Sequence, residues 1–225
     1  MSYIACNKSN YTLGRSIPIE YIVIHYTANN GDTAKGNCNY FANNIVKASA
    51  HYFVDENSVW QSVAEKDTAW HCGGVLQGSG GHMFYKKCMN SNSIGIELCS
   101  RKDSNGNYYF KEQTLKNTSE LVRDIMKRRN IPIERVIRHY DVTGKICPAP
   151  LINETEWKKF KQMIKGDFKM FPDVKENDYA YKHIKKLKEC KIVNGDENGN
   201  FNPDAPITRR DMAIISANLL TYMGK

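Results

Sequence analysis

Six histidines and seven cysteines are the residues of this 225-residue chain best suited to chemistry. A lone histidine is ordinarily structural, so context decides which of them matter. His25 closes the β-branched, apolar run Tyr21-Ile22-Val23-Ile24-His25-Tyr26. His139 follows a second extended stretch, Arg135 to Arg138. Cys147 lies eight positions beyond His139, between Gly144 and Pro148. Two imidazoles and one thiolate leave the fourth position of a tetrahedral ion open, the arrangement of a catalytic rather than a structural zinc site. Spacing alone argues weakly, because 114 positions separate His25 from His139. The sequence has no H-E-x-x-H helix, so thermolysin-like protease chemistry is not supported.

Such a site would suit hydrolysis of a carbonyl compound by water, a poor nucleophile at neutral pH. Zinc (Zn2+) polarises the carbonyl and lowers the pKa of a bound water toward ~7. A base and a cation for the developing oxyanion complete the requirement. Glu97 stands in the apolar run Ile94-Gly95-Ile96-Glu97-Leu98, where a carboxylate is unusual. It is either that base or the partner of an arginine such as Arg101. Lys145, two residues before Cys147, reads on its own as an ordinary loop lysine. His51 either supports the site, from behind the metal ligands or as a substrate contact, or is a core-facing strand histidine. Trp70 and His71 are candidates to line a groove, since indole faces pack well on sugar rings and peptide planes; Trp70 as plain core is the alternative. His82 is assigned no role.

The elements that must hold these residues show in the periodicity. Residues 21–26 predict a buried strand ending in a histidine. Tyr40, Phe41, Ile45 and Val46 predict a short helix over 37–47. Stretches 49–54 and 58–63 flank Asp55-Glu56-Asn57 and predict a hairpin. Five glycines in 73–82 predict a flexible loop. Residues 94–98 predict another strand. Leu115, Leu121, Val122, Ile125 and Met126 recur at helical spacing between Glu112 and Asn130, and Pro132 stops that helix. Residues 135–138 predict a strand that delivers His139 into a loop, and Trp157, Phe160 and Ile164 predict a further helix. Alternating strands and helices imply an α/β unit, a sheet covered by helices. Gly166-Asp167 is the expected boundary between domains 1–166 and 167–225. Beyond it, helices are predicted over 179–190 and 208–220, the second opened by a Thr208/Asp211 capping box. The run Asp196 to Asn200 lacks glycine at the sixth place of an EF-hand loop and reads as a turn, not a calcium site.

The composition, 41% hydrophobic and 25% charged, is that of a soluble globular protein. The net charge of +8 favours anionic partners, and it is uneven. Residues 1–166 hold 22 Lys+Arg against 15 Asp+Glu, whereas 167–225 hold 10 against 9. Short clusters such as Lys127-Arg128-Arg129 read as solvated helix faces. With no recognised motif or basic stripe beside them, nucleic acid is not an expected partner. No apolar run approaches the ~18 residues of a membrane helix, and the first residues show no signal-peptide pattern. Seven cysteines without a C-x-x-C imply a reducing compartment and free thiols.

Five segments occur in a telling order: Val23-Ile24-His25-Tyr26-Thr27-Ala28, Ser49-Ala50-His51-Tyr52, Ala69-Trp70-His71-Cys72-Gly73, Ser93-Ile94-Gly95-Ile96-Glu97, and Arg138-His139-Tyr140-Asp141-Val142-Thr143-Gly144-Lys145-Ile146-Cys147-Pro148. Together, over roughly residues 15–165, they resemble the type-2 N-acetylmuramoyl-L-alanine amidase family. That family includes phage lysozyme-type amidases, bacterial anhydromuropeptide amidases and animal peptidoglycan-recognition proteins. The resemblance implies a mixed central β-sheet flanked by helices. It implies hydrolysis by zinc-activated water of the amide bond between N-acetylmuramic acid and L-alanine of peptidoglycan. It places the metal on His25, His139 and Cys147, the general base on Glu97, and stabilisation of the tetrahedral intermediate on Lys145. One position departs: phage members carry tyrosine where this chain has Ala50, which shifts proton transfer onto Glu97. Some recognition proteins of the family lack the cysteine and only bind wall fragments. Cys147, Glu97 and Lys145 together favour catalysis over that alternative.

The C-terminal segment carries a second resemblance. Phe171-Pro172-Asp173-Val174, Ile192-Val193-Asn194-Gly195, Gly199-Asn200-Phe201-Asn202-Pro203-Asp204 and Ile207-Thr208-Arg209-Arg210 resemble a surface-layer homology (SLH) module, a small all-α unit that attaches proteins to anionic cell-wall polysaccharide. Arg209 at a helix N-terminus is the expected wall contact. Such modules usually pack in threes, so one alone implies a homo-oligomer formed through this segment. The two resemblances describe an endolysin made in the bacterial cytoplasm and released to act at the wall, with no membrane insertion.

Overall fold

The computed structural model describes residues 2–78, 80–166, 170–190 and 192–223. It divides into two compact units, Met1–Gly166 and Asp167–Lys225.

The first unit is built on a six-stranded mixed sheet: β1 (Ser2–Tyr3), β2 (Tyr21–Tyr26), β3 (Tyr52–Val54), β4 (Val59–Gln61), β5 (Ser93–Leu98) and β6 (Val136–Arg138), in the order β1-β4-β3-β5-β2-β6. Strands β3, β5, β2 and β6 run parallel. Strand β4 returns antiparallel to β3 as the predicted hairpin, and Asp55 closes its turn by accepting from the Asn57 and Ser58 N–H groups.

Side chains alternate across a strand, and here the alternation separates core from chemistry. Ile22 and Ile24 of β2, with Ile94, Ile96 and Leu98 of β5, pack against helices α2 (Glu112–Arg129) and α4 (Glu154–Lys165). Each of these five is fully buried and contributes roughly 1.5–3 kcal/mol to folding. The alternate residues of the same strands, His25, Gly95 and Glu97, therefore fall on the other face. Helix α1 (Ala34–Asn43) covers part of that face by packing Ala34 and Cys38 on Phe53.

Two local expectations shift. The first helix spans 34–43 rather than 37–47, because the Thr33 hydroxyl caps it by accepting from Gly36 N–H. His139 does not enter a loop; it opens a short helix, α3 (His139–Thr143). Asp141 closes that helix's first turn by accepting from Arg138 N–H and Nε.

The second unit packs helix α5 (Tyr181–Glu189) and the segments around it on Phe171, Val174, Ile184, Ile192 and Val193. Helix α6 (Arg209–Tyr222) carries the predicted Thr208/Asp211 capping box. Asp196 accepts from Asn198 and Asn200 N–H, which makes its loop the expected turn. None of the described helices is long and apolar enough to cross a membrane.

Candidate metal centre

Two neighbouring parallel strands, β2 and β6, end at one place. His25 is the fifth residue of β2 and 2% exposed. His139 follows the last residue of β6, whose Arg138 pairs with Ile24 of β2. The two imidazoles consequently meet, with ring centroids 4.8 Å apart. Cys147 is brought back by a turn at Gly144, which has a φ of 78° and caps α3. A Cβ at Gly144 would fall on the Gln77 carbonyl oxygen, so the turn admits only glycine. Tyr140 N–H then donates to Cys147 O at 2.8 Å.

Arg138 holds this arrangement from beneath. It is 4% exposed. Its guanidinium donates to Asp141 Oδ1 at 2.7 Å, to the Leu151 and Ile152 carbonyls, and to Glu154 Oε1 at 2.6 Å. One buried cation thus ties α3 to the chain that follows Cys147.

The ligand atoms of His25, His139 and Cys147 all lie within 4.8 Å of one another. Cys147 Sγ is 3.7 Å from His25 Nδ1, close to the roughly 3.5 Å that nitrogen and sulfur keep around tetrahedral zinc. His139 supplies the test of fit. Both of its ring nitrogens are buried and find no hydrogen-bond partner among the described residues. Leaving such groups unpaired is costly, and ligation of a cation by one of them removes that cost. Burial, then Lys145, pushes the His139 pKa down to about 4. Burial, with His139, His71 and Lys145 adding, holds His25 well below its ordinary range. Both rings are therefore neutral near pH 7, the form that binds a metal. Burial, reinforced by Glu97, pushes the Cys147 thiol up to about 12.

These residues open onto a cleft of about 950 Å³ that is also lined by Trp70, His71, Glu97 and Lys145. Glu97 Oε2 is buried without a partner among the described residues. Burial pushes its pKa up to about 8, with Lys145 opposing and Asp32 adding. It does not pair with Arg101, which binds Glu56 and Asp32 instead. Lys145 is exposed on the cleft wall. Ala50 lines the cleft as a small, fully buried side chain.

The remaining candidates separate. Trp70 and His71 line the cleft, and Trp70 Nε1 donates to Thr12 Oγ1 at 3.0 Å. His51 is fully buried, accepting from Gly95 N–H at Nδ1, with Arg15 Nη2 2.6 Å from Nε2. Arg209 is the exposed first residue of α6. Sequence reasoning missed Asn29 and Asp32, which also line the cleft. The signal was available: they follow the carboxyl end of β2, where ligands bind in open α/β sheets.

Residues 15–150 match the model of the family described as N-acetylmuramoyl-L-alanine amidase. This chain belongs to that amidase family. Residues 171–213 match the S-layer homology domain. Among curated relatives, the N-acetylmuramoyl-L-alanine amidase CwlA of Bacillus subtilis (strain 168) is 34% identical over 165 residues, covering 72% of this chain and 56% of that one. CwlL of Bacillus licheniformis is 34% identical over 142 residues, covering 61% and 38%. The chain thus spans about half the length, or less, of these relatives. Among solved structures, the catalytic domain of XlyA superimposes with a TM-score of 0.57 at 27% identity, covering 73% of this chain and 99% of that one. PlyL gives 0.56 at 28%, covering 73% and 96%. The mixed sheet flanked by helices is thus the fold of the family.

Proposed function

We propose that the chain is a zinc-dependent N-acetylmuramoyl-L-alanine amidase that hydrolyses the amide between N-acetylmuramic acid and L-alanine of peptidoglycan. The observation that carries this reading is the His25/His139/Cys147 cluster standing in one cleft with a carboxylate, Glu97, whose Oε2 is buried without a partner among the described residues. His25, His139 and Cys147 would hold the ion, which when bound supplies Lewis-acid polarisation of the carbonyl and acidification of water. Glu97 takes the proton of the attacking water at Oε2 and returns it to the departing alanine nitrogen. Lys145 faces the charge that develops on the carbonyl oxygen. No phenol stands at position 50, so the proton rests on Glu97 between the two transfers. Trp70 and His71 are the proposed contacts to the sugar-peptide junction, a reading supported by their lining the cleft. His51, buried behind contacts of its own, would act on substrate only through other residues.

The deciding assay incubates the purified protein with peptidoglycan and counts new ends. New alanine amino groups, abolished by a chelator and restored by zinc, support the amidase. New reducing sugars alone would indicate a glycosidase, and binding without new ends a recognition protein.

For the second unit, residues 167–225, the proposed role is attachment to anionic wall polysaccharide, with Arg209 as a contact. Met212, Ile214, Leu220 and Tyr222 of α6 are each more than half exposed, which supports self-association through this unit. Light scattering that shows a monomer at micromolar concentration would refute it. Release from the producing bacterium to act at the wall completes the reading.

A further inference from the structure

We infer that His71 is a positioning residue for the metal: it fixes the tautomer of His25, so that His25 presents Nδ1, not Nε2, to the ion. The inference rests on the metal reading above and adds which atom ligates and what holds it.

The argument follows one proton at a time. Ser93 has a single hydroxyl proton and donates it to the Met89 carbonyl at 2.5 Å. His71 Nε2 lies 3.2 Å from the same Ser93 Oγ. With its proton committed to Met89, Ser93 accepts from His71, which places the His71 proton on Nε2. A neutral imidazole carries one N–H, so His71 Nδ1 is an acceptor. His25 Nε2 lies 3.0 Å from that Nδ1 and must donate to it. The lone pair left on His25 is then on Nδ1, and Nδ1 is the nitrogen 3.7 Å from Cys147 Sγ. The Cys72 thiol, 3.5 Å from Ser93 Oγ, leaves this assignment unchanged. A hydroxyl's choice of acceptor thereby sets the ligating atom two residues away.

The fold reserves room for this relay. A Cβ at Gly95 would fall on the His71 ring, so the ring rests against bare backbone of β5. The Gly95 N–H is in turn held by His51 Nδ1 at 3.0 Å. Metal-bound histidines commonly donate their second N–H to a carboxylate or carbonyl; here an imidazole takes that place.

The test measures zinc affinity of the full chain, by competition with a chromophoric chelator, for the unaltered protein and for His71→Ala, His71→Asn and Ser93→Ala. Long-range nitrogen-15 spectra of the zinc-loaded protein report the His25 tautomer independently of activity. His71→Ala should weaken zinc binding about 10–100-fold. His71→Asn, whose Oδ1 stands near the place of Nδ1, should restore most of it, and Ser93→Ala should fall between. His25 should show a metal-shifted Nδ1 and a protonated Nε2. Ligation through Nε2, or unchanged affinity in both His71→Ala and Ser93→Ala, overturns the positioning role while leaving the metal site intact. An unaltered protein that binds no zinc overturns the metal reading, and this inference with it. Should His71→Ala fail to fold, His71→Asn, Ser93→Ala and the spectra decide.

Discussion

His25 and Glu97 are direct partners across β2 and β5, in a register that runs unbroken from Tyr21 opposite Ser93 to Tyr26 opposite Leu98. Partners on adjacent parallel strands point to the same face, about 4.8 Å apart. A candidate ligand and a candidate base therefore stand side by side because of strand pairing, before any loop is placed. A slip of one residue would carry Glu97 to the face where Ile94, Ile96 and Leu98 pack. The apolar core that fixes the register thus also fixes the site.

Glu97→Gln keeps the shape of the side chain and removes its basicity. The variant should bind zinc with the stoichiometry of the parent and lose about 10²- to 10⁴-fold in kcat, the usual worth of a general base. Release of alanine amino groups measures the rate, and metal analysis of the same sample measures the loading. A variant at full rate would remove Glu97 from the mechanism.

Cys147→Ser replaces the thiol with a hydroxyl that does not ionise to a ligand near neutral pH. Zinc content and wall lysis should be lost together, with the fold retained by circular dichroism. Full lysis by this variant would show that the ligand set is wrong.

The core was legible in the sequence because periodicity reports burial. The apolar runs at 21–26 and 94–98 and the helical spacing in 112–130 correspond to β2, β5 and α2. Convergence of His25, His139 and Cys147 was not legible from spacing, since parallel pairing joins β2 to β6 across more than a hundred residues. The motif blocks supplied what spacing could not. The helix at His139 was missed because its first turn depends on Asp141 accepting from Arg138, a capping contact that hydrophobic periodicity does not encode. The His71–Ser93 relay was also hidden, because it needs the Gly95 backbone beneath the ring.

Gly144→Ala probes the turn that returns Cys147 to the site. Its φ of 78° is strained for alanine, and the added methyl meets the Gln77 carbonyl. The cost should be about 1–3 kcal/mol or more in stability. Because Lys145 and Cys147 follow directly, zinc affinity should fall as well. Urea unfolding and chelator competition measure the two effects. A variant with parental values in both would mean the turn does not position the ligand.

Glu65 gives the prediction in pH. It is 7% exposed and accepts from Tyr52 Oη at 2.7 Å and from both Arg128 and Arg129. Burial alone would raise its pKa, but the hydrogen bonds from Arg128, Tyr52 and Arg129 outweigh burial and hold it at about 2. The folded value thus lies below the ordinary carboxylate value of about 4.3. The group then stabilises the fold fully above that ordinary value, and the contribution is lost as pH falls from there through about 2. With both arginines 40% exposed, screening reduces the contribution to roughly 2 kcal/mol. Urea unfolding between pH 6 and pH 2.5 should show the parent losing stability more steeply than Glu65→Gln below about pH 4.3, while the difference between them stays constant above it. Parallel curves through the acid range would show that the Glu65 cluster is not ionised in the folded protein as its contacts require.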